Sequence, residues 1–487
     1  MSSSDRSRWL ALVVICMATL MNVLDSTIVG VALPSIKADL GFSQISLAWV
    51  VNSYLLTFGG FLLLGGRLGD LFGQQRLFVG GIALFTTASL MCGLSGSQGL
   101  LIAARAVQGF GGAVTSAVAL SLIMLLFAEP AERAKALGVF GFVSAGGGSF
   151  GVMLGGVLTD FFSWHWIFLV NVPIGIAVCI LALRILPPGD RLRGDRRLDV
   201  AGAAIVTSAL VLAVYAVVDG NQAGWLSPRT LGVVSLAGVL FAGFVWVESR
   251  VSTPLVPLGL FRQRDLATAN VVGVLWAGAI FAWFFLSALY LQLVLGYSPL
   301  EVGLAFLPAN LIMGGFSLGL SAKLITRFGI SRPLSGGLVL AAAGLALFAR
   351  APTGAEFWMD VLPGMILVGL GAGTAINPLL LAAMGDVEQS ESGLASGIVN
   401  TSFMMGGALG LAVLASVAAS RTTQLLAAGH SHTTALLGGY HLAYLLGSTF
   451  ALAGAVLSFA ALRAAKPQVS KSTAGRAPEP APAERRA

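Results

Sequence analysis

The chain has 487 residues, of which 56% are hydrophobic and only 10% are charged, and its mean hydropathy is +0.89. Soluble domains carry roughly 25% charged residues, so a water-soluble fold of this composition would expose more apolar surface than globular proteins tolerate. The 62 glycines follow no fixed period and the apolar content is too high for an unfolded chain, which excludes collagen-like and disordered classes. The sequence therefore predicts a polytopic membrane protein.

Fourteen apolar stretches are long enough to cross a bilayer, because a helical span needs about 20 mainly apolar residues. The first stretch follows two arginines, as a signal peptide would. Its length, the presence of Asp25 and the lack of a small-residue cleavage site indicate a retained helix instead. In chain order the predicted spans are 9–33, 46–65, 77–96, 99–127, 136–158, 165–186, 200–218, 230–248, 267–293, 302–322, 333–350, 359–381, 394–418 and 440–462.

The basic residues concentrate in alternate connections between the spans. With the N-terminus in the cytoplasm, 23 of the 28 Lys and Arg residues lie in cytoplasmic segments, four lie outside, and Arg105 lies within a span. Cytoplasmic loops are enriched in Lys and Arg, so this distribution predicts an even number of spans with both termini cytoplasmic. It also accounts for the net charge of +7, and no nucleic-acid partner is expected.

A basic loop pattern occurs twice, at residues 67–76 after the second span and at 323–332 after the tenth. Basic, Leu, Phe, Gly and Arg residues recur in register, although short basic turns can also look alike by chance. Many transporters contain two related halves, so we predict an all-α polytopic membrane bundle of two six-helix pseudo-symmetric halves plus two inserted helices. The predicted division is an N-terminal half (1–186), a linker with the inserted helices (187–265), a C-terminal half (266–462) and a disordered cytoplasmic tail (463–487).

Five short motifs occur along the chain, at residues 24–34, 66–76, 105–109, 164–175 and 393–401. In sequence and order they resemble those of the major facilitator superfamily, in particular its fourteen-span drug:proton antiporter branch. The resemblance covers nearly the whole chain except the tail. It departs from the family pattern at Val152, where the motif of the fifth span usually has proline. The resemblance implies exchange of protons for drugs by alternating access.

Asp25 is the clearest candidate for proton coupling, because it lies in the middle of the first span between apolar neighbours. An ionised carboxylate in lipid is costly, so such a site favours the neutral acid and can take up a proton. Arg105 lies well inside a span, where a cation must face the bundle interior and find partners. The resemblance assigns both residues to proton coupling. The alternatives are an acid bonded to a neighbouring helix and an arginine that ties helix ends through carbonyl groups.

The connection between spans 2 and 3 contains the predicted gating residues Gly66, Asp70, Gly73 and Arg76. An Asp at a helix–loop junction can accept hydrogen bonds from free backbone N–H groups. The resemblance implies that this cluster latches the cytoplasmic gate between the halves. The alternative is a helix cap with solvated charge.

Span 5 contains Gly147, Gly151 and Gly155, which recur every four residues and therefore share one helix face, with Gly156 beside them. Small residues at this spacing let helices approach closely in lipid. We predict that these glycines serve helix packing, either as a static contact or as a sliding face between the halves.

Uncharged polar residues inside the spans are candidates for a central cavity, because polar groups that face lipid are costly. The candidates assigned to the substrate cavity are Asn22, Asn52, Gln108, Asn377 and Asn400, and the others are Asn270, Gln292 and Asn310. Aromatic residues crowd span 9, at positions 276, 281, 283, 284 and 285. We expect these rings to face lipid or to pack in the core rather than to bind a ligand.

No motif favours catalysis. The sequence has no P-loop or HExxH motif, and its three cysteines and four histidines lack metal-ligand spacing, so we expect no enzyme, cofactor or metal site. The leading hypothesis is a proton-coupled antiporter that exports hydrophobic or cationic drugs or natural products, as a functional monomer in a bacterial plasma membrane. Its expected partners are the small-molecule substrate, protons and the lipid bilayer. The alternatives are a metabolite or nutrient transporter of the same fold and a non-transporting membrane sensor.

Overall fold

The structure, a computed structural model, describes residues 3–43, 45–127, 129–187, 200–251, 254, 256, 258–384 and 392–462. These residues form helices and no strands, which confirms the predicted all-α class. The predicted tail 463–487 and residues 188–199 of the predicted linker lie outside the described residues.

The first part of the chain forms seven helices, of which the short α6 and α7 together correspond to the sixth predicted span. They are α1 (Ser3–Leu40), α2 (Ala48–Phe72), α3 (Gln74–Gly93), α4 (Gln98–Leu126), α5 (Pro130–Phe161), α6 (Trp166–Leu169) and α7 (Asn171–Ile185). Two helices then form the predicted insertion, α8 (Val200–Ala223) and α9 (Pro228–Glu248).

The remaining helices follow a short 3-10 helix at Leu258–Arg262. They are α10 (Arg264–Leu293), α11 (Pro299–Gly315), α12 (Ser321–Phe328), α13 (Ser331–Phe348), α14 (Leu362–Met384), α15 (Ser392–Ala427) and α16 (His432–Ala461). A π-helical turn, Phe316–Leu320, joins α11 to α12, and another, Phe357–Val361, precedes α14.

Twelve helices in the described part of the chain are long and apolar enough to cross a membrane. The other two predicted spans fall on α5 and α11, where the apolar stretches are shorter, Phe150–Phe161 and Pro299–Gly315. The membrane bundle is thus confirmed, and the predicted count of fourteen spans is matched in part.

The two copies of the basic loop pattern adopt the same turn. Gly73 alone separates α2 from α3 and has a φ of 92°, whereas Gly329, with a φ of 78°, and Ile330 separate α12 from α13. The Gly73 N–H donates to the carbonyl of Gly69 (3.1 Å) and the Gly329 N–H to that of Ile325 (2.9 Å). Because L side chains rarely adopt positive φ, glycine is the residue that permits this reversal in both halves.

Four helices begin with a serine whose side chain accepts a hydrogen bond from a backbone N–H in the first turn. The serines are Ser97, Ser227, Ser298 and Ser431, before α4, α9, α11 and α16. Such caps satisfy donors that a helix leaves free at its start. Because all four helices are even-numbered predicted spans, the capped ends lie on the same side of the bundle.

The halves meet along α2–α15 and α5–α11, and the hairpin of α8 and α9 packs on α2 and α15. Towards the end of α1, buried apolar residues of the first half such as Val31 and Leu33 belong to one cluster with Trp276 and Phe306 of the second. The side chain of Gln292 on α10 also donates to the Val31 carbonyl at 2.8 Å. The two halves are therefore in contact at the end where α1 stops, which we call the capped end.

Candidate functional site

Asp25 and Arg105 form a buried ion pair inside the first half. Asp25 on α1 is 0% exposed and Arg105 on α4 is 1% exposed. Nη1 of Arg105 lies 2.5 Å from Oδ2 of Asp25. The other carboxylate oxygen accepts hydrogen bonds from Nε2 of Gln108 (2.7 Å) and Nδ2 of Asn171 (3.1 Å). Three side chains therefore stabilise the ionised carboxylate in the absence of solvent exposure.

The guanidinium group of Arg105 has partners on further helices. Its Nε donates to the carbonyl of Val50 on α2 at 3.0 Å, and Nη1 also donates to Oε1 of Gln108 at 2.7 Å. Its central carbon lies 4.4 Å from the ring centre of Tyr54, a cation–π distance. Arg105 thus connects α1, α2 and α4 through one buried charge.

Ser89 on α3 extends this network. Its hydroxyl accepts from Gln108 (3.0 Å) and Asn171 (3.1 Å) and donates to the Phe168 carbonyl (3.0 Å). Sequence reasoning missed the roles of Asn171, Ser89 and Tyr54. Asn171 belongs to the motif at the entry to span 6, and its place in that motif could have marked it as a functional residue. A lone serine or tyrosine in an apolar span gives none.

A cavity of about 300 Å³ lies between the halves. Small-molecule sites measure roughly 300–1,000 Å³, so the space suits an organic ligand. The first half contributes α1, α2 and α5 to its walls, and the second contributes α10, α11, α14 and α15. The aromatic residues of the lining are Trp276, Phe281, Phe284, Phe285, Phe306 and Phe403.

The aromatic residues of span 9 bear on one expectation. Four of the five line the cavity, and only Trp283 packs away from it, with its ring edge-on to Phe306 at 5.3 Å. The prediction of core packing is confirmed for Trp276 and Phe285, which are buried in the core, and the rings also border a cavity that sequence reasoning did not place there. Since α10 is apolar on all sides, the spacing of its residues does not reveal which face borders the central space.

None of the five predicted cavity residues is among the described residues that line this space. Gln108 belongs to the ion-pair network, and Asn22 donates to Ser116 on α4 at 3.1 Å. Asn52 is fully buried with no hydrogen-bond partner among the described residues, and Asn400 is exposed. Asn377 donates to the carbonyl of Ser317 at 2.7 Å, and Ser317 itself lines the cavity.

The predicted gating residues lie where α2 meets α3. Gly66 and Asp70 are in α2, but the burial and contacts of these two residues are outside what the structure describes. Gly73 forms the turn, and Arg76 is exposed in the first turn of α3.

The neighbouring Gln75, which sequence reasoning did not select, ties this turn to the last turn of α7. Its Nε2 donates to the carbonyls of Leu186 (2.8 Å) and Ala182 (3.3 Å). The turn is thus fixed to the rest of the first half.

The glycines of α5 serve two different contacts. An added Cβ at Gly147, Gly151 or Gly155 would meet residues of α1, such as Leu24 and Ile28, so this row packs within the first half. An added Cβ at Gly156 would lie 2.7 Å from the Pro299 carbonyl oxygen at the start of α11. Only Gly156 of the four therefore contacts the other half at this position.

Helix α1 connects the ion pair to the cavity. Asp25 faces α4 and α7, whereas Val23, Ser26, Thr27 and Gly30 on its other side line the cavity. A change in the charge of Asp25 can therefore alter the cavity wall through one helix, without direct contact between the two sites.

The described residues contain no cluster of His, Cys, Asp or Glu that could hold a metal ion. A bundle of long apolar helices in two repeated parts, with a cavity at their interface and a buried acid beside it, defines the class of secondary membrane transporters.

Residues 15–411 match the model of the Major Facilitator Superfamily, and the chain belongs to this family. The resemblance to this superfamily is thereby confirmed, and the protein is a membrane transporter of small molecules and not an enzyme.

Two relatives show how far this similarity extends. The puromycin resistance protein of Streptomyces alboniger is 39% identical over 92% of this chain and 89% of its own length. The cephamycin export protein of Amycolatopsis lactamdurans is 41% identical over 85% of each chain.

A solved structure of a bacterial homologue of the human lysosomal transporter Spinster has a similar fold. The TM-score is 0.63 at 16% identity, with 93% of this chain and 97% of that chain covered.

Proposed function

We propose that this transporter is a proton-coupled antiporter that exports hydrophobic small molecules, such as antibiotics and other natural products, by alternating access. The observation that carries the proposal is that α1 has a buried, ion-paired Asp25 on one side and the lining of an apolar cavity on the other. The names of the two relatives, a puromycin resistance protein and a cephamycin export protein, support export as the direction.

In the proposed cycle the ionised pair marks the state that loads substrate. Protonation of Asp25 removes the negative charge that balances the positive charge of Arg105. Breaking a buried ion pair in this way costs about 3–5 kcal/mol. The packing of α1 against α4 and α7 then changes, and with it the cavity wall. The proton and the substrate act through different faces of α1, so they compete through conformation rather than for a shared group.

We further propose that the protein works as a monomer in a bacterial plasma membrane, with both termini in the cytoplasm. The distribution of basic residues supports this orientation, and it places the capped end outside. The contacts between the halves at the capped end support a state that is closed to the exterior. Both relatives come from bacteria, which supports a bacterial source.

The test is an efflux assay in a bacterial host without its own pumps, with uncharged Nile red and cationic ethidium as probes. We expect the wild-type protein to lower the accumulation of Nile red. A protonophore should abolish this effect, and so should Asp25→Asn at a matched amount of protein in the membrane.

The matched control is Asp160→Asn, which removes an exposed carboxylate at the end of α5 and should leave efflux unchanged. Efflux that persists in Asp25→Asn with full sensitivity to the protonophore would place the proton site elsewhere. If the wild-type protein lowers the accumulation of neither dye, broad export is wrong.

A further inference from the structure

The cavity differs from a cation site in its chemistry. None of the described residues that line it is ionisable, and six are aromatic. Asp25, the nearest candidate for a counter-charge on α1, is fully buried and already paired with Arg105. A cation in this space would lose its hydration and gain only the faces of the aromatic rings, with no full counter-charge, so the lining favours an uncharged aromatic molecule.

The hydroxyl groups of the lining are already engaged as donors on α1. The hydroxyl of Ser26 donates to the Val23 carbonyl at 2.8 Å, and that of Thr27 donates to the same carbonyl at 3.0 Å. In the π-helical turn after α11, the hydroxyl oxygen of Ser317 accepts from Asn377 at 3.3 Å. None of these contacts offers a free amide donor to a ligand.

Asn310 on α11 is different. Its side chain is 3% exposed, it lines the cavity, and its Nδ2 has no hydrogen-bond partner among the described residues. Buried amide donors are nearly always paired. The Nδ2 of Asn310 is itself inaccessible, but a half-turn of the amide about its Cβ–Cγ bond would bring this donor to the cavity, where a ligand can supply the missing partner.

The surroundings of Asn310 show what kind of ligand fits. Phe306 lies one helical turn away on the same side of α11 and stacks on Phe284, with ring centres 5.6 Å apart and an angle of 27° between the planes. A donor next to stacked rings suits a flat aromatic molecule with an oxygen at its edge.

We propose that Asn310 is a specificity-determining residue, whose amide donates a hydrogen bond to a carbonyl or ether oxygen on an uncharged aromatic substrate. This inference rests on the proposed function, since it takes the cavity to be the substrate site, and it names the substrate class. The amide distinguishes molecules with an acceptor oxygen from purely hydrocarbon ones, because the latter leave the buried donor unpaired.

The test uses two probes of similar shape, 2-acetylnaphthalene and 2-ethylnaphthalene, which differ in one carbonyl oxygen. Binding to purified transporter in lipid nanodiscs is measured by equilibrium dialysis, and binding to empty nanodiscs is subtracted. We expect the wild-type protein to prefer the ketone by about tenfold. Asn310→Leu, which removes the amide donor, should bring this ratio to about one.

The matched control is Asn270→Leu. Asn270 is also a buried amide, but its Nδ2 donates to the Leu266 carbonyl at 2.8 Å within α10, and it is not among the lining residues. This variant should keep the wild-type ratio. Retained binding of 2-ethylnaphthalene shows that each variant is folded.

A wild-type protein without preference for the ketone overturns the proposal, as does an Asn310→Leu variant that keeps the preference. Nanodiscs hold no proton gradient, so this ratio does not depend on coupling. The protein can therefore prefer the ketone in the binding assay although the efflux assay fails. It can equally export dye without any preference for the ketone.

Discussion

Among the single residues, Asp25 and Arg105 show how the bundle keeps two charges away from water. Each charge has several partners, since Gln108 and Asn171 donate to the carboxylate while the Val50 carbonyl accepts from the guanidinium. Removal of one member of such a pair is costly because the other charge stays buried, whereas removal of both is tolerated far better.

We therefore expect Asp25→Asn to lower the free energy of unfolding by as much as about 3–5 kcal/mol. Adding Arg105→Gln should restore much of this loss, although the double variant has no ion pair. The measurement is the thermal unfolding midpoint of the purified variants in detergent, followed by tryptophan fluorescence. If the double variant is less stable than Asp25→Asn alone, the loss of stability in Asp25→Asn does not come from the unpaired charge of Arg105.

The sequence predicted the importance of Asp25 and Arg105 because charged residues are rare inside spans. It did not predict which amides approach the carboxylate. Asn22 and Gln108 were treated alike, yet only Gln108 reaches Asp25. In a uniformly apolar bundle the rotation of each helix decides which polar group meets which, and that rotation is set by packing between helices rather than by local sequence.

Among the helices, α5 is the one that glycine shapes most clearly. Its row of Gly147, Gly151 and Gly155 lies against α1, the helix that carries both Asp25 and part of the cavity wall. At Gly155 the carbonyl oxygen of Ile28 lies 2.8 Å from where a Cβ would be. A side chain there must push the two backbones apart.

We expect Gly155→Ala to lower the free energy of unfolding by about 1–3 kcal/mol, the usual cost of overpacking. The matched control is Gly138→Ala on the same helix, where an added Cβ meets nothing within 4 Å. That change should be neutral or slightly stabilising, since alanine favours a helix over glycine. Equal thermal unfolding midpoints for the two variants would show that α1 and α5 do not pack closely at Gly155.

The helical spans themselves were largely predictable, because bilayer thickness fixes their length. The departures occur where the backbone is irregular. Helix α11 contains Pro308 and passes into the π-helical turn Phe316–Leu320, which adds a residue to the turn near Ser317 in the cavity wall. A hydropathy profile gives the length of an apolar stretch but does not detect such a change of backbone pitch.

At the capped end the two halves are joined by apolar packing and by the hydrogen bond from the Gln292 side chain to the Val31 carbonyl. Gly156 adds a close backbone contact with Pro299. Alternating access requires these contacts to separate when the cavity opens towards this end.

We expect Gln292→Leu to favour the state open at the capped end by about 2- to 10-fold, the equivalent of one hydrogen bond. The readout is the labelling of a cysteine placed at Ala288 in the cavity wall, in a cysteine-free background, by a membrane-impermeant maleimide added to cells.

The control for this measurement is Gln98→Leu. Gln98 also donates to a carbonyl, that of Leu40, at 3.0 Å, but both residues belong to the first half. Its loss should leave labelling unchanged. Equal labelling in the wild-type protein and Gln292→Leu would mean that this hydrogen bond does not hold the halves together.

The lack of ionisable groups in the described cavity wall also determines how the membrane voltage acts on export. If the cargo is neutral, each proton that enters in exchange carries one net positive charge across the membrane. At 100 mV that charge is worth about 2.3 kcal/mol, which at one proton per molecule supports a concentration ratio of roughly 50 without any pH difference. A monovalent cation leaving in exchange for one proton would cancel this electrical contribution. In the proposed exchange, a neutral compound is therefore expelled by voltage alone, even where the medium outside is as alkaline as the cytoplasm.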